Sequence, residues 1–361
     1  MKNIKPALKI TAKALCSIAF FAVLLSFVKT NELIDVFSRI HWGYFVGSFC
    51  LTPVMLCVSC AKWKLLLDKG RVRVPMWQLL KMYFVGYFFS NFLPSTVGGD
   101  VVRSFYAGKR INDQAYAAVS VFLERFTGIL FLCVLVIVMP LFRIDLYVNP
   151  FIYLPAVGGC CALILFAFLF YAGSRDSWLN NCIIKLPGLF VSSEKAGELK
   201  VKGKIAKCLE KVTEIIVDKA KKIRSGLEIA ITAMGSDKSY LVKLVALTVA
   251  FYFLTMVNVF IAFKAFSVDI SFLGVCVLVP PALLVAHVPV TLLGNLGYFE
   301  SIFVGYFLLI GVPGAESLAM GLLLRLKMLS LGILGLGFYL SYKSSNGAEL
   351  DELKELHNHA R

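Results

Sequence analysis

"MYFVGYFFSNFLPSTVGGDVVRSF", residues Met82 to Phe105, starts as an apolar helix and turns charged within a few residues. Pro94, Gly98, Gly99, Asp100 and Arg103 follow one another where a lipid-soluble helix would continue. The stretch is flanked upstream by "KWKLLLDKGRVRV" (Lys62 to Val74) and downstream by "RSFYAGKR" (Arg103 to Arg110), both basic. Lys and Arg concentrate in the cytoplasmic loops of membrane proteins, so both ends read as lying on one side. A segment that enters and leaves on one side is re-entrant or broken. Non-helical backbone at membrane depth is tolerated only where protein buries it or where it lines a wet cavity. The stretch therefore predicts a cavity.

The rest of the chain supports a membrane setting. Of 361 residues, 59% are hydrophobic and only 16% charged, and mean hydropathy is +0.79, well beyond the balance of a soluble domain. The net charge of +15 belongs to cytoplasmic loops and their attraction to anionic headgroups, and nucleic acid is not an expected partner. Cys50, Cys57, Cys133, Cys160, Cys161 and Cys276 sit in apolar runs and read as small packing residues. No Cys/His spacing suits a metal, and no cofactor is indicated.

The expected fold is all-α and polytopic, with about seven or eight transmembrane helices. The first span covers Ala14 to Val28, with the Lys2, Lys5, Lys9 and Lys13 end in the cytoplasm. Others are expected at Gly43 to Ala61, Ala117 to Leu141, Ile152 to Ala172, Leu241 to Phe263 and Ser317 to Tyr342. Residues 1–342 form one membrane domain. A lysine-rich insertion at 173–240 interrupts it, with Ile205, Leu209, Val212 and Ile216 at helical spacing, and a polar tail covers 343–361.

A second broken element is expected at "VLVPPALLVAHVPVTLLGNLGYFE", Val277 to Glu300, where Pro280, Pro281 and Pro289 interrupt the helix and Gly294 and Gly297 loosen it. "FLPSTVGGD" and "HVPVTLLGN" echo one another: Pro, then Thr two residues on, then Gly followed by Asp or Asn. Two such breaks in corresponding halves point to a degenerate internal repeat and to a transporter's binding site.

Four blocks carry a family likeness: "NFLPSTVGGDVVRSFYAGK", "VSVFLERFTGIL", "VPVTLLGNLGYFES" and "GVPGAESLAMGLLLRL". In this order and spacing they resemble the flippase-like membrane domain of lysylphosphatidylglycerol synthases, as a stand-alone member lacking the synthase domain. The third block departs from the family pattern, with Asn295 and Phe299 in place of a second glycine and a basic residue. The resemblance implies a protein that moves or presents a phospholipid or polyprenyl-phosphate-linked lipid in a bacterial or archaeal cell membrane.

Arg103, Asp100, Glu124, Arg125, Glu300 and Arg325 are the candidate headgroup or cavity residues. A charge at the bilayer centre costs about 2.5–3.5 kcal/mol on insertion scales, so such groups pair or face water. Arg103 pairs with Glu124 or Glu300, and Arg325 with Glu300. Arginine presents a donor fork suited to phosphate. Backbone N–H groups near Gly98, Gly99 and Gly294 are further phosphate donors. Lys81, Lys264, Lys327 and His287 read as interfacial or packing groups. No P-loop is present, so transport would be passive or ion-coupled. Ser95 and Thr96 have no histidine near them in sequence, and an enzyme is the least favoured reading. A non-transporting partner of a lipid or glycan-lipid synthase is the alternative.

Overall fold

The computed structural model describes residues 22, 26, 28, 30–68, 73–92, 98–147, 149–173, 238–288, 290 and 295–359, with the backbone alone for 30, 92, 147, 168–173 and 342–359. Most of the expected first span and of the 173–240 insertion lies outside the described residues, as do Pro94, Pro289 and Gly294. The chain divides into two compact units, Met1–Gly159 with Val242–Arg361, and Cys160–Leu241. Every side chain of the candidate site belongs to the first unit.

The described residues form eleven α-helices and no strand. They are α1 (Thr30–Ser38), α2 (Trp42–Asp68), α3 (Met76–Phe92), α4 (Gly98–Ile111), α5 (Gln114–Val138), α6 (Ile144–Tyr147), α7 (Pro150–Gly173), α8 (Lys238–Ala265), α9 (Phe272–Ala286), α10 (Tyr298–Leu308) and α11 (Gly314–His359). A 3-10 turn, Met139–Phe142, extends α5. Among the described residues five helices are long and apolar enough to cross a bilayer: α2, α5 with its 3-10 turn, α7, α8, and α11 over Gly314–Ser341. At 27 residues α2 is about 40 Å long, more than the ~30 Å hydrocarbon core. Val46, Val54, Val245, Phe253, Ile333 and Leu340 stand exposed on these helices. Lipid is the solvent that accepts such surfaces.

Local chemistry sets the helix ends. Asp113 caps α5 by accepting from the Tyr116 amide at 2.9 Å, and Ser271 caps α9 by accepting from the Gly274 amide at 3.1 Å. Pro280 and Pro281 do not interrupt α9, contrary to the sequence expectation: the helix runs through both to Ala286. Apolar helices in membranes tolerate proline because neighbouring groups satisfy the carbonyls it leaves open. The real break follows His287, and Gly297, at φ +81, provides the left-handed turn that starts α10. Asn295, buried and at φ 63, spans this break by donating from Nδ2 to the carbonyls of Ala286 and Val288, both at 3.0 Å.

Two other boundaries move. The second span does not end at Ala61: α2 runs on to Asp68, and Lys62, Trp63, Leu66 and Leu67 are buried. The last helix continues unbroken to His359, through the expected tail.

Two apolar cores result. One is built by Leu56, Trp63, Leu67, Leu79, Met82, Tyr83, Ala117 and Val121. The other gathers Leu132, Leu135, Phe263, Val277, Phe303, Phe307 and Leu318 through Leu323. Helices α5 and α11 contribute to both. On α5, Glu124 and Arg125 fall between Val121 and Leu132; on α11, Arg325 and Lys327 fall between Leu323 and Leu331. The charges thus occupy the helix positions between the two cores.

Candidate headgroup site

Helices α3 and α4 are the two limbs of the first broken element and pack on each other. Their approach is as close as backbones allow. A Cβ on Gly99 would overlap the Gly86 carbonyl oxygen and Ser90 Oγ, so only glycine fits there. This contact places Asp100 and Arg103, in the first turns of α4, beside α5. Asp100 also suits that position because a helix N-terminus favours negative charge.

Arg103 is only 2% exposed. Its Nη2 lies 2.6 Å from Glu124 Oε2, and its Nε donates to Asp100 Oδ1 at 3.1 Å. The guanidinium sits 4.3 Å from the Tyr83 ring centroid and 4.9 Å from that of Trp63, which stand edge to face. Tyr83 Oη donates to Glu124 Oε1 at 2.5 Å, and Trp63 Nε1 donates to Ser120 Oγ at 3.0 Å. The cation is walled in by rings and carboxylates on four helices, an arrangement that locks helix register.

Arg125 is placed differently. It shares Asp100 with Arg103, donating from Nε to Oδ2 at 2.9 Å and from Nη2 to Oδ1 at 3.2 Å. Its side chain is 53% accessible. His287, at the end of α9, is exposed and within electrostatic reach of Arg125. Its Nδ1–H donates to the Leu283 carbonyl at 2.6 Å, which leaves Nε2 as the acceptor.

Glu300 and Arg325 form a second pair. Glu300, in the first turn of α10, is fully buried: Oε1 accepts from Arg325 Nε at 2.8 Å, and Oε2 accepts from the Gly297 amide at 2.8 Å. Arg325 also stands 5.7 Å from the Phe299 ring centroid. Asp100 and Glu300 are each the third residue of the helix after a break, and each binds an arginine 25 residues on. The sequence echo had paired Asp100 with Asn295; the structure pairs it with Glu300, because position in the first helical turn decides which carboxylate can reach across.

Of the proposed residues, Asp100, Arg103, Glu124 and Arg125 form one cluster, and Glu300 with Arg325 forms another. Gly99 serves packing and Gly297 a turn, while Gly98 opens α4. Lys327 is not an interfacial group: it is 3% exposed, and Nζ donates to Ser48 Oγ and Asn258 Oδ1, both at 2.7 Å. Lys62 was hidden in a basic run that looked like a solvated flank; it is 6% exposed and within electrostatic reach of Glu124 and Arg125. Only its place on an extended α2 could have revealed it. Outside the spans, a hydrogen bond from Lys264 holds the Asp269 carboxyl below its usual range. Asp269 lines a cavity of about 310 Å³ with Asp35, Arg39, Ser267 and Glu316, none of which belongs to either cluster.

Comparison with known proteins assigns the family. A family model described as "Lysylphosphatidylglycerol synthase TM region" matches residues 10–335. A UPF0104 membrane protein from Methanothermobacter thermautotrophicus is 23% identical over 315 residues, covering 84% of this chain and 87% of that protein. No solved structure matches the chain. With five helices among the described residues fit to cross a bilayer and a family match that takes in both broken elements, the chain is an integral membrane protein of the lysylphosphatidylglycerol synthase TM region family.

Proposed function

We propose that the protein moves a phospholipid or polyprenyl-phosphate-linked lipid between leaflets, using Arg125 to take the headgroup. One observation carries this reading: Arg125 is 53% accessible while two hydrogen bonds to Asp100 hold its guanidinium in place. A tethered, accessible guanidinium is a preorganised oxyanion receptor. Arg103 and Glu124 anchor Asp100's helix rather than contact the lipid. The basic N-terminal end faces the cytoplasm, and transport is passive or ion-coupled.

The test is leaflet exchange of fluorescent phospholipids in vesicles of a defined lipid mixture, with and without the purified protein. Exchange well above protein-free vesicles is expected, falling at least tenfold in Arg125→Ala, as loss of a charge-assisted contact worth about 1.5–3 kcal/mol requires. Exchange equal to protein-free vesicles would instead favour a non-transporting partner of a lipid or glycan-lipid synthase.

A further inference from the structure

Lys327 is a buried base without a carboxylate. Each arginine of the two clusters binds Asp100, Glu124 or Glu300. Lys327 Nζ instead meets two neutral acceptors at 2.7 Å, Ser48 Oγ and Asn258 Oδ1. All three side chains are buried, and Ser48 Oγ donates to Asn258 Oδ1 at 3.1 Å, which closes a triangle. Counting donors shows what this triangle fits. An ammonium carries three N–H donors and a neutral amine two. Two bonds satisfy both donors of the amine but leave the ammonium one acceptor short, where an unmet charge is costly. Arginine keeps its proton in proteins, whereas a buried lysine can give it up.

No neighbouring charge compensates. Arg325 on the same helix is bound to Glu300 of α10, Lys264 of α8 to Asp269, and Asp35 to Arg39 beside α1. Lys81 of α3 stands over the Trp77 ring. Lys62 of α2 lies about 20 Å along that helix from Ser48. None of these acts electrostatically on Lys327 Nζ. Accessible space is nevertheless near along the helix axes. The ends of α2 and α8 are joined by the His41 amide, which donates to the Ala265 carbonyl at 2.9 Å. Ser267 Oγ donates to the Arg39 carbonyl at 3.0 Å at the same end. The cavity of about 310 Å³ with Arg39, Ser267 and Glu316 in its walls sits at that junction. Ser48 and Asn258 lie only about 10 Å further along their helices.

We propose that Lys327 is a proton-binding site that governs how tightly α2, α8 and α11 are joined. The node is complete around the amine. When Nζ takes a proton from water its third donor has no acceptor, and the three helices loosen until water supplies one. The proton returns to water as the node closes again. Loosening and proton uptake are thus one linked event, and each favours the other by the same factor. The site is separate from the headgroup receptor at Arg125 and stands whether or not lipid is moved. In a protein that does move lipid, it makes the proton the coupling ion.

The test is the pH dependence of stability, measured on full-length protein in one detergent. In the unfolded chain Lys327 holds its proton up to the ordinary lysine value of about 10.4. Wherever the folded node has released it, the unfolded chain binds one proton more. Stability then rises with pH, by up to about tenfold in the folding equilibrium per pH unit. The wild type is therefore expected to gain in melting temperature on Lys327→Met from mildly acidic to mildly alkaline pH. Lys62 and every other group that the two proteins share drop out of this difference. A difference that stays flat means a permanently charged lysine and overturns the proposal. Nitrogen NMR of labelled lysine side chains reads the proton directly. One signal, absent from Lys327→Met, is expected to turn from ammonium to amine over the same range, and an ammonium signal throughout overturns the proposal. Deuterium uptake around Asn258 reads the loosening. It is expected to exceed that of Lys327→Met at acidic pH and to match it at alkaline pH; equal uptake at both overturns the link to helix packing. Lys327→Arg, which cannot release its proton, is expected to show the acidic wild-type uptake at every pH. Uptake in Lys327→Arg that still follows the wild-type course would place the titrating group elsewhere and overturn the assignment.

Discussion

Arg103 and Arg125 share one carboxylate, Asp100, but only one of them meets solvent-accessible space. Their consequences on substitution should therefore separate. Removing one member of a buried ion pair strands the other and typically costs 3–5 kcal/mol. Arg103→Ala would strand Glu124, leave Asp100 with Arg125 alone and open a gap between Trp63 and Tyr83. A loss of about 3–5 kcal/mol is expected, read as a large drop in melting temperature in detergent. Arg125→Ala removes an accessible side chain whose partner keeps Arg103, so a loss near 1 kcal/mol or less is expected. Exchange should show the reverse emphasis at equal amounts of folded protein: abolished in Arg125→Ala, but retained in whatever fraction of Arg103→Lys folds.

The broken elements depend on glycine at the points of closest backbone approach. Gly99 faces the Gly86 carbonyl across α3 and α4, and a Cβ on Gly335 would overlap the Phe84 carbonyl across α3 and α11. Neither neighbour is a side-chain end that can swing away. Gly99→Ala and Gly335→Ala are each expected to destabilise by about 1–3 kcal/mol or more, as overpacking does. Gly305→Ala, with open space around its Cβ position, should be neutral in the same melting assay. These breaks were legible in the sequence because proline and glycine are conspicuous in an apolar chain, and the buried charges were legible for the same reason. What the pattern did not tell was which proline matters. Pro280 and Pro281 sit inside α9, since a helix in an apolar setting survives the lost donors, whereas the turn at Gly297 depends on a φ that composition does not record. Lys62 was illegible because a basic run reads alike whether the helix stops before it or carries it inward. The match of Asp100 with Glu300 needed three-dimensional placement, since an ion pair across helices leaves no local periodicity.

At the scale of the whole molecule, α2, α8 and α11, three of the helices fit to cross a bilayer, meet at a node without a carboxylate: Ser48, Asn258 and Lys327. Ser48 Oγ also donates to Asn258 Oδ1 at 3.1 Å, so the hydroxyl and the amide satisfy one another even without the lysine. The node is therefore asymmetric. Lys327→Met removes a buried ammonium, keeps most of its volume and leaves the Ser48–Asn258 bond in place. Such exchanges of a buried ion for an apolar isostere are often neutral or stabilising. Asn258→Leu, in contrast, takes an acceptor from the ammonium and leaves only Ser48 to solvate it. A buried donor left unmet costs about 1–3 kcal/mol, and more when charged. Asn258→Leu is therefore expected to lower the melting temperature clearly, Lys327→Met to leave it unchanged or raise it, and the double variant to recover most of what Asn258→Leu loses. Thermal melts of the three variants in one detergent form a double-mutant cycle, in which the recovery measures the coupling directly. Losses from the single substitutions that simply add would show that Lys327 draws its stability from something other than Asn258, and that the three helices are not joined through this node.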